Sequence, residues 1–316
     1  MHSALDPNSP QARAIAHLWW WMLGAGGVIW LGVSALAIYT AMRGRGLRAA
    51  DDLAHVTEPV HRRVERIVGG GIFATLLVLS GFLIFDFSVG RLLAQHPEHA
   101  LTIDVVGHQW WWEVHYENPD PSKSVGTANE IHVPTGEMIQ FKLRSTDVIH
   151  SFWAPNLSGK RDLIPGYTST LWFKADTAGV YRGQCAEFCG LQHAQMAFYI
   201  VAQSPVAFAA WLAAGASDPT PPTDSTLLYG QRIFMASGCA LCHAIGGTQA
   251  FATVGPDLTH LKSRATIAAG ALSNTRANLA GWIANPSALK PGVRMPSIPL
   301  TGPQLQALVS YLETLK

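Results

Sequence analysis

Hydrophobic residues fall into three textures along the chain. Residues 14–42 contain no Asp, Glu, Lys or Arg, a run longer than the ~20 residues that cross a bilayer as a helix. Trp19, Trp20 and Trp21 at one end and Tyr39 at the other suit anchoring at the two membrane surfaces. A signal peptide is the rival reading, but only Arg13 precedes the run, which exceeds the ~7–15 residues of a signal core. A second uncharged run covers residues 67–85 and includes Gly69, Gly70 and Gly71, as close-packing membrane helices do. The pattern predicts a transmembrane hairpin.

From Leu101 the texture becomes short, partly alternating runs at 101–106, 130–133, 138–143 and 169–173, punctuated by Pro134-Thr135-Gly136 and Pro165-Gly166. This predicts a β-sandwich of the cupredoxin kind. Residues 216–225, Ala-Ser-Asp-Pro-Thr-Pro-Pro-Thr-Asp-Ser, read as an extended linker. A helix is expected from Leu227 and another over 303–315, closing a small all-α domain. The expected divisions are 1–95, 96–215, 216–225 and 226–316.

Charge sharpens this division. The net charge of the 316 residues is +1, yet residues 88–225 carry eight Lys/Arg against thirteen Asp/Glu, and residues 226–316 seven against two. Opposed signs on two soluble domains suggest that they dock transiently, as redox partners do. No basic run suggests nucleic acid. Arg43, Arg45, Arg48, Arg62, Arg63 and Arg66 lie between the apolar runs, so the connector is expected in the cytoplasm. Both termini and the soluble domains would then lie on the periplasmic side of a bacterial cell membrane.

Candidate chemistry begins with Cys185, Cys189, His193 and Met196, with His150 upstream. Two thiolates, two imidazoles and a thioether suit copper far better than magnesium or calcium. A blue-copper site needs one cysteine. With two, each sulfur can bridge a pair of coppers, each taking one imidazole, with Met196 and the Glu187 carbonyl as weak axial ligands. A disulfide, or one structural zinc, stays open on spacing alone. Further on, Cys239-Ala240-Leu241-Cys242-His243 is a covalent haem attachment signal, with His243 as proximal ligand. A dithiol with the same cysteine spacing would follow a strand in an α/β unit, which this region lacks. Met295, 52 residues beyond His243 on a Pro-rich loop, can approach the other haem face.

The run Gly183-Gln184-Cys185-Ala186-Glu187-Phe188-Cys189-Gly190-Leu191-Gln192-His193-Ala194-Gln195-Met196, with His150, resembles the dinuclear copper site of subunit II of haem-copper cytochrome c oxidases. Ala186 stands where the family often has serine, at a position that is not a side-chain ligand. Residues 226–316, including Gly255-Pro256-Asp257-Leu258, resemble a class I cytochrome c, so the whole is similar to the fused subunit II of caa3-type oxidases. Quinol oxidase relatives lack the copper ligands.

The resemblance implies more than spacing does. Trp110, first of Trp110-Trp111-Trp112, takes the family's place as the surface residue passing electrons to copper, although Trp111 stands where Tyr is usual. Glu65 falls at the mouth of a proton path into the catalytic subunit, and Glu187 would help bind a Mg²⁺ shared with that subunit. The implied function is to carry electrons from cytochrome c or another periplasmic donor through haem c to the copper pair. They pass next to catalytic subunit I, with subunit III also expected, where oxygen is reduced to water with proton translocation. The alternatives are the equivalent subunit of a copper-containing nitric-oxide reductase, or a membrane-bound electron shuttle.

Overall fold

A computed structural model describes residues 3–43, 58–94, 100–120 and 123–316. Arg45 and Arg48 of the connector, and His55, His96 and His99, lie outside the described residues. The chain divides into two units: residues 13–95, and residues 1–12 with 96–316.

The first unit contains most of two long helices, α1 (Pro10–Arg43) and α2 (Glu58–Leu93). At ~1.5 Å per residue, their 34 and 36 residues exceed the ~30 Å of a hydrocarbon core. Both are long and apolar enough to cross a membrane. Trp20, Trp30, Leu36, Phe73, Leu77 and Leu83 are exposed along them, as lipid-facing side chains would be. Glu65 sits exposed on α2, with His61 Nε2 3.2 Å from its carboxylate.

The second unit begins with strands β1 (Leu101–His108), β2 (Trp111–Tyr116), β3 (Val125–Ala128), β4 (Glu130–Pro134) and β5 (Met138–Ser145). There follow β6 (His150–Trp153), β7 (Arg161–Leu163), β8 (Ser169–Lys174), β9 (Gly179–Cys185) and β10 (Ala197–Gln203). One five-stranded sheet runs β3-β2-β1-β5-β8 and the other β4-β10-β9-β6-β7. Their inner faces supply the core, as the alternating burial of β2 and β5 shows, giving the cupredoxin-like sandwich. Asn129, at φ 61°, turns the chain from one sheet to the other. Its main-chain N–H donates to Trp112 O, and its side-chain oxygen accepts from Trp112 N, both at 2.9 Å.

Phe152 and Phe198 stack in this core at 4.2 Å, with Trp112 edge-on to Phe198 at 5.3 Å. Phe198 lies opposite Gly183 across β9 and β10. A Cβ on Gly183 would fall 2.1 Å from the Phe198 ring, so glycine is what lets the ring cover β9 two residues before Cys185. Arg161 and Asp162 form β7, at the edge beside β6.

Helix α3 (Pro205–Gly215), not foreseen from the pattern, follows the sandwich. Residues 216–224 lead to α4 (Ser225–Ala236). A short ladder, β11 (Thr266–Ile267) with β12 (Leu272–Ser273), interrupts an otherwise helical region. Helices α5 (Arg276–Ala284), α6 (Pro286–Leu289) and α7 (Gly302–Leu312) complete it. Phe234, Ile283, Leu308 and Tyr311 share its core. Gly230 permits the close crossing of α4 and α7, since a Cβ there would lie 2.2 Å from Ala307 O.

Candidate metal and haem centre

Cys185 ends β9, His150 opens β6, and the loop after β9 turns back through a 3₁₀ turn at His193–Gln195 to Met196. The sandwich therefore gathers ligand-type atoms from two neighbouring strands and one loop. Cys185 Sγ lies 3.8 Å from Cys189 Sγ, 3.8 Å from His150 Nδ1 and 3.3 Å from the Glu187 carbonyl oxygen. Cys189 Sγ lies 3.7 Å from His193 Nδ1 and 3.8 Å from Met196 Sδ. Glu187 itself is exposed, its side chain free to face a partner.

These distances test the donor set. A disulfide needs sulfurs ~2.05 Å apart, and both cysteines are free. A sulfur and a nitrogen at ~2.3 and ~2.0 Å from one ion stand ~3.5–3.8 Å apart at ordinary angles, matching each Cys–His separation here. Among the described residues, the ligand atoms of His150, Cys185 and Cys189 lie within 4.8 Å of one another, a set that His193 does not join. Two ligand atoms of one ion cannot exceed ~4.6 Å on those bond lengths. The cluster of His150, Cys185 and Cys189 is thus compatible with a metal site, with His193 and Met196 standing beside Cys189.

The surroundings fix the donors. His150 is fully buried, and its Nε2 donates to Asp147 Oδ1 at 2.9 Å, which leaves Nδ1 facing Cys185. Asp147 also accepts from the main-chain N–H groups of Gln109 at 2.6 Å and Val148 at 2.7 Å. Burial works to raise its pKa, but the donors His150, Val148 and Gln109 together hold it below the usual carboxylate range. The neighbouring Cys189 thiol holds the Cys185 thiol well below its ordinary range, and that thiolate in turn pushes Cys189 up. Gly107 in β1 backs the imidazole: a Cβ there would lie 2.8 Å from His150 Cδ2.

The three consecutive tryptophans have three fates. Trp112 is core. Trp111 stacks on His108 at 4.4 Å and 9°. Trp110 is half-buried, its Nε1 donating to Cys189 O at 2.9 Å, beside Gln109 Nε2 on the same oxygen at 2.7 Å. His108, which sequence left without a part, bridges Glu113 at 2.8 Å and Thr146 at 2.9 Å.

In the helical region, Cys239 and Cys242 are free, and a cavity of about 480 Å³ is lined by Cys239, Cys242, His243 and Met295. That volume lies within the ~300–1,000 Å³ of cofactor pockets. Burial keeps His243 below the ordinary imidazole pKa. With Nδ1 2.7 Å from Pro256 O, the neutral ring donates there and leaves Nε2 as an open lone pair. Met235 packs against the helical core. Cys239, Cys242, His243 and Met295, gathered on one cavity, are residue types that would hold a haem. Trp110 and Trp111 line the same cavity from the sandwich side.

Sequence reasoning missed Asp147, Gln109 and Gly107, and two residues of the Met295 loop, Lys290 and Arg294. A carboxylate three residues before a ligand histidine was a local signal for Asp147. The others come together only in the fold.

Both the sandwich and the helical region match known families. Residues 121–204 match the family model described as cytochrome c oxidase subunit II, periplasmic domain, and residues 227–316 match that of cytochrome c. Cytochrome c oxidase subunit 2 of Alkalihalophilus pseudofirmus is 39% identical over 69% of this chain, a segment spanning 62% of that relative's length. Its counterpart in Bacillus sp. strain PS3 is 33% identical over 78% of this chain and 70% of that protein. The crystal structure of the periplasmic domain of subunit II from Bradyrhizobium japonicum is 33% identical over 38% of this chain and 96% of that one, with a TM-score of 0.36. With a subunit II domain followed by a cytochrome c domain, this chain belongs to the cytochrome c oxidase subunit II family.

Proposed function

We propose that this chain is the electron-accepting subunit of a respiratory cytochrome c oxidase of the caa3 type. The domains would be a membrane hairpin over 1–95, a copper domain over 96–215, a linker over 216–225 and a cytochrome c domain over 226–316, the soluble parts lying in the periplasm. His150, Cys185, Cys189 and His193, with Met196 and the Glu187 carbonyl, would hold two coppers. Cys239 and Cys242 would carry haem c between His243 and Met295. These groups supply one-electron chemistry, taking electrons from cytochrome c or another periplasmic donor toward subunit I, where oxygen is reduced to water with proton translocation.

The residues of this chain set ligation and distance. Asp147 and Pro256 fix the tautomers of His150 and His243 through the hydrogen bonds already described. The buried sandwich holds the copper loop rigid between charge states. Trp110 would connect the haem cavity to Cys189. The exposed carboxylate of Glu187 is proposed to share a Mg²⁺ with subunit I, and Glu65 to stand at a proton entrance. Subunit III is a further expected partner.

One observation carries this reading: a single cavity is bounded by the haem-attachment residues and by Trp110, whose indole N–H reaches the carbonyl of Cys189. Metal analysis, optical and EPR spectra, and turnover on one preparation of the intact complex test it. The expected result is two coppers and one covalent haem c per chain, a mixed-valence copper signal and oxygen consumption. Zinc in the cysteine site or absence of covalent haem would overturn it, and turnover of nitric oxide in place of oxygen would identify the reductase instead.

A further inference from the structure

The loop carrying Met295 is fastened to the copper-ligand loop residue by residue. Lys290, only 2% exposed, donates from Nζ to Gln195 O at 2.9 Å and to Ala268 O at 3.0 Å. Gln195 precedes Met196, so the ammonium ties the two domains together beside a ligand of the copper loop. Burial lowers its pKa to about 8. Next in sequence, Pro291 O accepts from Gln192 Nε2. Gly292, at φ +86°, presses its backbone on Leu191, where a Cβ would meet Leu191 Cδ1 at 2.9 Å. Arg294 then lies 5.7 Å over the Trp110 ring and donates to Gln109 Oε1. Its guanidinium is 4.0 Å from Asp147 Oδ2, on the carboxylate that holds His150.

We propose that Lys290–Arg294 is an intramolecular latch that seats the cytochrome domain permanently on the copper loop, with Lys290 and Arg294 as its positioning residues. The sequence suggests transient docking through opposite net charges, which salt would weaken. The contacts weigh against that. Arg294 is 63% exposed and its ion pair with Asp147 is long, so that pair contributes little and is screened. The hydrogen bond from Lys290 to Gln195 O, which crosses between the domains, is buried, where screening is weak. The linker then serves to join the domains, not to let one wander. The consequence for electron transfer rests on the proposed function; the seating does not.

The test uses the intact complex with a site-specific protease sequence placed in the linker between Thr220 and Thr223. After cleavage, gel filtration measures how much of the cytochrome fragment leaves the membrane complex at low and at high salt. The latch predicts retention of the cytochrome fragment in the unsubstituted protein at both salts. It predicts at least ten-fold greater release from the Lys290→Met/Arg294→Gln variant, and an intermediate effect of Arg294→Gln alone. Release from the unsubstituted protein at either salt would overturn it, as would equal retention by the double variant. Copper and haem contents measured on the same samples separate the two ideas. Retention without copper or haem sinks the proposed function and spares the latch; release with both present does the reverse.

Discussion

Replacing Gly255 with alanine tests how tightly the haem-side imidazole is held. The new Cβ would stand 2.7 Å from His243 Cε1, 3.0 Å from Nδ1 and 3.2 Å from Nε2, facing the ring nearly flat. Ordinary contact begins near 3.4 Å, so the ring must retreat by roughly 0.5–0.7 Å or Gly255 must move. The backbone resists, because Gly255 N donates to Cys242 O at 2.7 Å. The ring resists, because Nδ1 is bonded to Pro256 O at 2.7 Å. Overpacking of this kind costs ~1–3 kcal/mol, and weakening the imidazole hydrogen bond adds ~0.5–1.5 kcal/mol. A total of about 2–4 kcal/mol against a slope of ~2–6 kcal/mol per molar guanidinium lowers the unfolding midpoint by about 0.3–2 M. The assay is a guanidinium titration of the full haem-loaded chain in detergent, read by haem absorbance. Gly302→Ala at the start of α7, where a Cβ meets nothing within 4 Å, is the control and should change stability by less than ~1 kcal/mol. An unchanged midpoint and an unchanged haem spectrum in Gly255→Ala would refute the reasoning.

Other expectations follow from the same geometry. Cys185→Ser and Cys189→Ser should each abolish the mixed-valence copper signal in EPR, and its persistence in both would remove the bridging assignment. Trp110→Leu should slow haem-to-copper transfer at least ten-fold in flash photolysis, and Trp111→Leu less, because only Trp110 bonds to Cys189 O; the reverse order would place the path through Trp111. Glu113 is half-buried, which opposes ionisation, yet hydrogen bonds from His108 and His115 hold it down to about 2. A depressed carboxylate stabilises the fold above its unfolded pKa near 4.5 and loses that contribution as pH falls through about 2. At ~1.4 kcal/mol per unit the contribution is about 3 kcal/mol at pH 6. Urea titrations should therefore show Glu113→Gln weaker than the unsubstituted chain at pH 6 and nearly level with it near pH 2. An equal gap at both pH values would contradict the linkage.

Much of the site was legible because its spacing is local. Cys185, Cys189, His193 and Met196 share one loop, and Cys239, Cys242 and His243 one turn, so residue types and intervals were enough to suggest the chemistry. Apolar run lengths gave the two long helices, and alternation gave β1, β4, β5 and β8. Contacts between distant segments were not legible. Nothing in Lys290 or Arg294 alone points to Gln195 or Trp110, about a hundred residues or more away. Gly183 and Phe198 became a pair only through the register of β9 and β10. Three adjacent tryptophans look alike in sequence. Their separation into a core position, a ring stacked on His108 and a partner of Cys189 depends on how β1 turns into β2. Net charge suggested docking by domain-wide attraction, whereas buried hydrogen bonds from a few side chains make the seat.

The most direct measurement is time-resolved absorbance after photoreduction of haem c in the intact complex, followed at the haem band and at the near-infrared copper band. The account predicts that haem oxidation and copper reduction share one first-order rate constant, independent of protein concentration. Copper filling while the haem remains reduced, or a rate that rises with protein concentration, would contradict it.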